Sequence, residues 1–266
     1  MRRNILQTLF SFRYFILGSV KRELQIQCHG SLFGIVWVLL NPLSLTLVYA
    51  LIFNNLMGAK LINHPEKFAY SIYLCAGLLP WNYFTSVLTR NINMFVDNAN
   101  LLKKSVFPIL TLPIIILLTE TVNFLMALGV FSLFLIAINH FPGWVLLAII
   151  PLLIMQQMLA LGIGIFLGCF HVFFRDIGKS ISIILQFWFW LTPIVYVSTI
   201  LPEVAQKFLA TFNPMVSLIQ AYQQIILEGK LPPLAGISSE LVLGIIAIML
   251  ALTTYHKLSS DIVDEL

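Results

Sequence analysis

The residues able to do proton or metal chemistry are few and widely separated. Two carboxylates, Glu120 and Glu240, fall inside long apolar stretches, and neither has a second acid beside it in sequence. Acid–base catalysis needs positioned pairs, so neither predicts an active site. Glu240 belongs near the edge of its stretch, within reach of water. The five histidines, His29, His64, His140, His171 and His256, divide between the two ends of the apolar segments and form no H-E-x-x-H run. Cys28, Cys75 and Cys169 lack metal-ligand spacing and read as isolated small hydrophobes. A G-x-x-x-x-G-K-[ST] phosphate loop is absent. The sequence predicts no catalytic residue, no metal site and no nucleotide bound by this chain.

The chemistry that remains is hydrogen bonding and aromatic stacking inside apolar segments. Lys179, Ser182, Gln186, Phe189, Pro193 and Tyr196 recur at helical spacing, giving one face that is polar and then aromatic. An unsatisfied amide in hydrocarbon is costly, so Gln186 must look into protein or water. Phe187, Trp188 and Trp190 add aromatic mass beside it. Aromatic rings stack on the C–H faces of sugars, and amides and hydroxyls bond to sugar hydroxyls; ordinary aromatic packing gives the same pattern. Trp37, Asn41 and Ser44 repeat the arrangement more weakly, and Pro42 frees a backbone carbonyl. Glu120 lies mid-segment in Leu118-Thr119-Glu120-Thr121. A charge there costs about 3 kcal/mol on insertion scales. It reads either as a polar site in a pore or subunit interface, or as a structural carboxyl bonded to a neighbouring Thr or Asn.

These residues must be positioned by membrane spans. The 266-residue chain is 59% hydrophobic and 10% charged, against about 25% charged in soluble domains. Crossing about 30 Å of hydrocarbon takes about 20 apolar residues. Six stretches qualify, at 33–57, 68–88, 106–138, 144–170, 177–197 and 237–255, which predicts an all-α membrane protein with six transmembrane helices. With the N-terminus inside, 11 of the 15 Lys and Arg fall on inside segments and 4 outside. That asymmetry predicts both termini in the cytosol. The net charge of +4 resides at segment ends, which fits topology and anionic headgroups and does not call for nucleic acid. Lys21, Arg22, Arg90, Lys103 and Lys104 are candidate headgroup contacts, or topology charges only.

Residues 1–32 do not span. Ile5, Leu9, Phe12 and Ile16 share a helical face, which predicts an amphipathic helix in the cytosolic interface or packed on the bundle. The loop 91–108 is polar. Asp97 or Asn98 is placed to cap a short helix through Leu101 and Leu102, followed by Lys103 and Lys104. Such a helix, with Asn100 beside it, is either a docking knob for a cytosolic partner or a solvated turn. Residues 198–236 carry Pro202, Pro214, Pro232 and Pro233 around two short amphipathic runs, which predict extracytoplasmic interfacial or re-entrant helices. Ala160, Gly164 and Gly168 form a small-residue ridge permitting close helix approach.

Five motifs in order carry a resemblance to a known family. They are Gly30-Ser31-Leu32-Phe33-Gly34-Ile35-Val36-Trp37 ending at Asn41-Pro42; Gly77-Leu78-Leu79-Pro80-Trp81 with Phe84; Asn98-Ala99-Asn100-Leu101-Leu102-Lys103-Lys104 closing at Phe107-Pro108; Phe174-Arg175-Asp176-Ile177, Gln186 and Thr192-Pro193-Ile194-Val195-Tyr196; and Asn213-Pro214 with Tyr222 and Gly229. From Gly30 onward the chain resembles type-2 ABC exporter permeases for polysaccharides, most like the O-antigen exporters and the related teichoic acid and capsule exporters. The resemblance implies a homodimer around one pore in the bacterial inner membrane and a lipid-linked, undecaprenyl-borne glycan as cargo. It implies a cytosolic ABC ATPase, in two copies, that binds ATP and magnesium and docks on the loop carrying Asp97, Asn98, Asn100, Leu101, Leu102, Lys103 and Lys104 and on the N-terminal region. It places the aromatics of the first and fifth spans, Trp37, Phe189, Trp190 and Tyr196, along the path, and Asn41, Ser44, Gln186 and Glu120 are the polar candidates to join them. The stretch before the first span departs from the family, with Gln25, Gln27, Cys28 and His29 where members are often more basic. Exporters of teichoic acid, capsule, lipid or drug with the same architecture, and a membrane enzyme or scaffold, are the rival readings.

Overall fold

The computed structural model describes residues 10–28, 68–104 and 109–266. The expected first span at 33–57, with Trp37, Asn41 and Ser44, lies outside the described residues, as do Phe107 and Pro108. In chain order the helices are α1 (Arg13–Cys28), α2 (Ala69–Asp97), α3 (Ala99–Lys104), α4 (Thr111–Ala137), α5 (Ile149–Phe173), α6 (Asp176–Trp190), α7 (Glu203–Phe212), α8 (Pro214–Gln223) and α9 (Leu234–Glu265). A 3₁₀ turn, Gly143–Ala148, leads into α5, and one wider turn, Gln224–Glu228, ends α8. No strand occurs among the described residues.

Three of these helices are long and apolar enough to cross a membrane: Thr111–Ala137, Gly143–Phe173 and Ser238–Ile262. They fall on the expected third, fourth and sixth spans. α2 has the length, at 29 residues, but Ser71, Tyr73, Tyr83 and Asn91 dilute its hydropathy. Those four side chains are buried against protein, so the helix need not be uniformly apolar to sit in a bundle. α2 also runs nine residues past the expected boundary at 88, through Arg90 to Asp97.

α5 lies at the centre, packed on α9 along one side and on α2 along another, and α2 in turn meets α4. Small residues make that closeness possible. A Cβ at Gly168 would stand 2.7 Å from the Asn91 carbonyl oxygen of α2, and one at Gly162 would stand 2.5 Å from the Ala247 backbone of α9. The ridge through Ala160, Gly164 and Gly168 is thus the α2-facing seam, and Gly162 serves α9 separately. The main core joins Trp81, Phe84, Leu88, Phe124, Phe131, Leu152, Tyr222 and Ile225 from α2, α4, α5 and the α8 region. A second cluster around Phe95, Leu102, Ile116, Cys169 and Tyr255 closes the far end of the bundle.

The expected fifth span at 177–197 is a helix of 15 residues only. Pro193 lacks the N–H that would continue α6, and the chain after Trp190 runs as turns to Val197. Carbonyls released there must find other donors. The Tyr73 hydroxyl lies 3.0 Å from the oxygens of both Pro193 and Tyr196, and Tyr70 donates to Val195 O at 2.6 Å. Gln223 of α8 adds its amide to Pro193 O at 3.2 Å. The break is also pinned from below: Trp188 Nε1 donates to Asn213 Oδ1 at 2.7 Å, and Asn213 Nδ2 donates to Leu191 O and Thr192 Oγ1. The same Asn213 oxygen accepts the Met215 N–H, capping α8, whose first residue is Pro214.

Candidate functional site

Arg90, near the C-terminal end of α2, is gripped from two sides. Its guanidinium donates to Glu120 of α4 and to Glu23 of α1, each at 2.6 Å. A charge deep in an apolar helix is tolerated when it is paired. That explains how Glu120, 8% exposed, is held inside α4. Arg90 is a partner that neither sequence reading of Glu120 named, because the two residues stand 30 positions apart on different helices. Glu23 was not singled out from sequence at all; its only signal was a lone acid in a helix otherwise flanked by Lys21 and Arg22. Glu240 also departs from expectation. It is buried, hydrogen-bonded to Ser217 of α8, because α8 folds back over the start of α9 and covers it.

α1 reaches this centre by packing on α4. Ile16 and Val20 bury against Ile115, with Leu24, Ile114 and Leu118 around them. Of the expected α1 face, Ile16 is therefore covered by the bundle and Phe12 is half-buried, while Ile5 and Leu9 lie outside the described residues. Phe10, Tyr14, Leu17 and Ile26 remain exposed, so α1 has one apolar strip on protein and further apolar side chains outside it. Between α1, α2 and α4 is a cavity of about 210 Å³ whose polar lining includes Ser19, Arg22, Glu23, Arg90, Asp97 and Asn98. Two groups of residues that sequence analysis kept apart, the headgroup candidates Arg22 and Arg90 and the docking candidates Asp97 and Asn98, meet here. Lys21 is exposed on α1.

The expected short helix is α3. At its start Asn98, one of the two expected cap residues, donates its amide to Met94 O at 2.8 Å, closing the C-terminal end of α2. Leu102 anchors α3 in the second cluster, while Asp97, Asn100 and Lys103 are exposed. The side chains of Leu101 and Lys104 lie outside the description.

The α6 face divides in two. Lys179, Ser182 and Gln186 are exposed, as are Phe187 at 68% and Trp190 at 58%; only Ile181 and Leu185 of this helix are buried. Phe189 turns the other way, packing 5.7 Å from Trp81 and 5.5 Å from Trp190 between ring centroids. Tyr196 is half-buried beyond the Pro193 break, its hydroxyl donating to Trp190 O at 3.1 Å. Trp188 meets Trp81 and Phe84 edge-on. α6 thus presents an amide, a hydroxyl, an ammonium and two aromatic rings outward, together with Ile183 and Ile184, on an aromatic backing. Among the described residues no group of three or more His, Cys, Asp or Glu is placed to hold a metal.

Known proteins share this sequence pattern over most of the chain. The chain is 32% identical over 229 residues to "O-antigen export system permease protein RfbA" of Myxococcus xanthus, with 86% of each chain covered. It is 30% identical over 238 residues to a protein of the same name from Klebsiella pneumoniae, with 89% of each covered. Residues 15–227, from α1 to the turn that ends α8, match the family described as ABC-2 type transporter. Apolar spans, a shared core and a match of that length converge on one conclusion: the chain is a multi-pass membrane protein and belongs to the ABC-2 type transporter family, as a permease.

Proposed function

We propose that this chain is the pore-forming subunit of a homodimeric exporter. It moves an undecaprenyl-linked, O-antigen-like polysaccharide across the bacterial inner membrane, with ATP hydrolysed by a separate ATPase subunit. In this reading each copy has six spans, both termini are cytosolic, and α7 and α8 are the interfacial and re-entrant helices of the outer face. The ATPase seats on the loop 91–108 around α3, and the chain itself performs no covalent chemistry. The relatives' printed name supports the cargo class, and family membership supports the ATPase partner.

The observation that carries the reading is the outward face of α6. Gln186, Ser182 and Lys179 stand exposed beside Phe187 and Trp190 on a helix within a membrane protein. Such polar side chains are expensive against lipid tails, so this face belongs toward a second copy and the conduit between copies. Aromatic rings with amide and hydroxyl neighbours offer a polymer many weak, sequence-tolerant contacts, which suits sliding better than tight capture. The test is export by the chain reconstituted with its ATPase. Gln186→Ala combined with Trp190→Ala is expected to cut glycan export at least tenfold while the ATPase still co-purifies. Wild-type export from that double variant would remove α6 from the path.

A further inference from the structure

The two ion pairs at Arg90 are unequal, and the inequality has a mechanical meaning. Glu120 is the inner partner, its side chain 11% exposed, whereas Glu23 is 30% exposed and Arg90 33%. Losing the inner bond would leave a buried carboxylate unpaired, which is heavily penalised. The outer bond can be exchanged for water at little cost, as partly exposed ion pairs commonly are. Glu23 stands on α1, a helix whose apolar hold on the bundle, among the described residues, is the cluster of Ile16, Val20 and Ile115 with Leu24, Ile114 and Leu118. Beside the outer bond lies the cavity lined by Ser19, Arg22, Asp97 and Asn98, so water has a ready place to enter. The cavity also touches the turn that leads into α3.

From these observations we infer that Arg90 is a clasp with one fixed and one releasable jaw: Glu120 joins α2 to α4 throughout the transport cycle, and Glu23 lets α1 dock on that pair and come away. Arg90 is then a positioning residue, and its charge is committed to these carboxylates rather than to a cargo phosphate. The inference rests on the reading of an ATP-driven exporter for its place in a cycle. The docking equilibrium itself is a property of this chain. Because α1 and the α3 turn share one cavity wall, release of Glu23 changes the surface next to α3.

The experiment uses the full chain in lipid nanodiscs, with its own cysteines replaced and Ser19→Cys introduced as a reporter in the cavity. Glu23→Gln keeps shape and removes the charge. It is expected to speed labelling of Ser19→Cys by a water-soluble maleimide roughly two- to fivefold, the population change that loss of one partly exposed ion pair permits. Glu23→Asp, which keeps the charge, should return the rate most of the way. With the ATPase present, ATP should accelerate labelling in wild type and add little in Glu23→Gln, whose glycan exported per ATP falls. Equal labelling of Glu23→Gln and wild type in the isolated chain would overturn the clasp, whatever the transport result. Absence of ATP-dependent glycan export by the wild-type complex would instead overturn the exporter reading, and the isolated-chain comparison would still decide the clasp.

Discussion

With Glu23 and Glu120 each 2.6 Å from Arg90, the guanidinium has two charge-assisted partners on two helices. The pairs should differ in what they contribute to stability. Glu120→Ala is expected to lower stability by about 1–3 kcal/mol, between the values for exposed and for buried pairs. Glu23→Ala should cost less than about 1 kcal/mol. Thermal unfolding in one detergent checks both, and equal losses would contradict the assignment of an inner and an outer partner. At this scale the sequence was a partial guide. It marked Glu120 as a residue in need of a partner, since an acid amid Leu and Thr in an apolar segment is conspicuous. It could not name Arg90, because that choice depends on how α2 and α4 pack. Nor could it show that Phe189, which shares the helical stripe with Gln186, faces Trp81 instead of the open side.

Among the elements, α5 depends most visibly on side-chain size. Gly162 leaves no room for a side chain against α9, whereas Gly129 of α4 has open space where a Cβ would go. Gly162→Val should therefore force the helices apart at a cost of about 1–3 kcal/mol or more. Gly129→Ala should be tolerated, or stabilise slightly through its better helix propensity. Yield of monodisperse protein and its unfolding temperature separate the two; a well-folded Gly162→Val variant would contradict the close α5–α9 seam. The glycine ridge was legible because spacing of four on a helix defines a face whatever the neighbour. The length of α6 was less so: the apolar run continues to Val197, and hydropathy alone cannot show that Pro193 ends the helix with its carbonyls handed to Tyr70, Tyr73 and Gln223. The junction of α2 and α3 depends on packing in the same way. Asn at a helix junction can serve either neighbour, and here Asn98 serves the longer helix behind it.

For the molecule as a whole, the scarcity of charged residues led directly to a membrane bundle, and three long apolar helices agree. The proposed orientation rests on the distribution of Lys and Arg. A cysteine introduced at Glu265 should resist an impermeant thiol reagent applied from outside intact spheroplasts, whereas one at Lys207 of α7 should react. Reversed labelling would invert the proposed topology and move the α3 loop away from any cytosolic ATPase.

The early end of α6 has a further consequence. At about 1.5 Å per residue, its 15 residues reach about 22 Å, some 8 Å less than the hydrocarbon of a typical bilayer. If α6 is the proposed fifth span, the remaining depth falls to the non-helical strip after it, where the oxygens of Pro193, Val195 and Tyr196 are already spoken for by tyrosine and glutamine side chains. A strip of that kind brings its own hydrogen-bond donors, so in the proposed six-span arrangement it can lie within the apolar depth of the membrane without drawing in water.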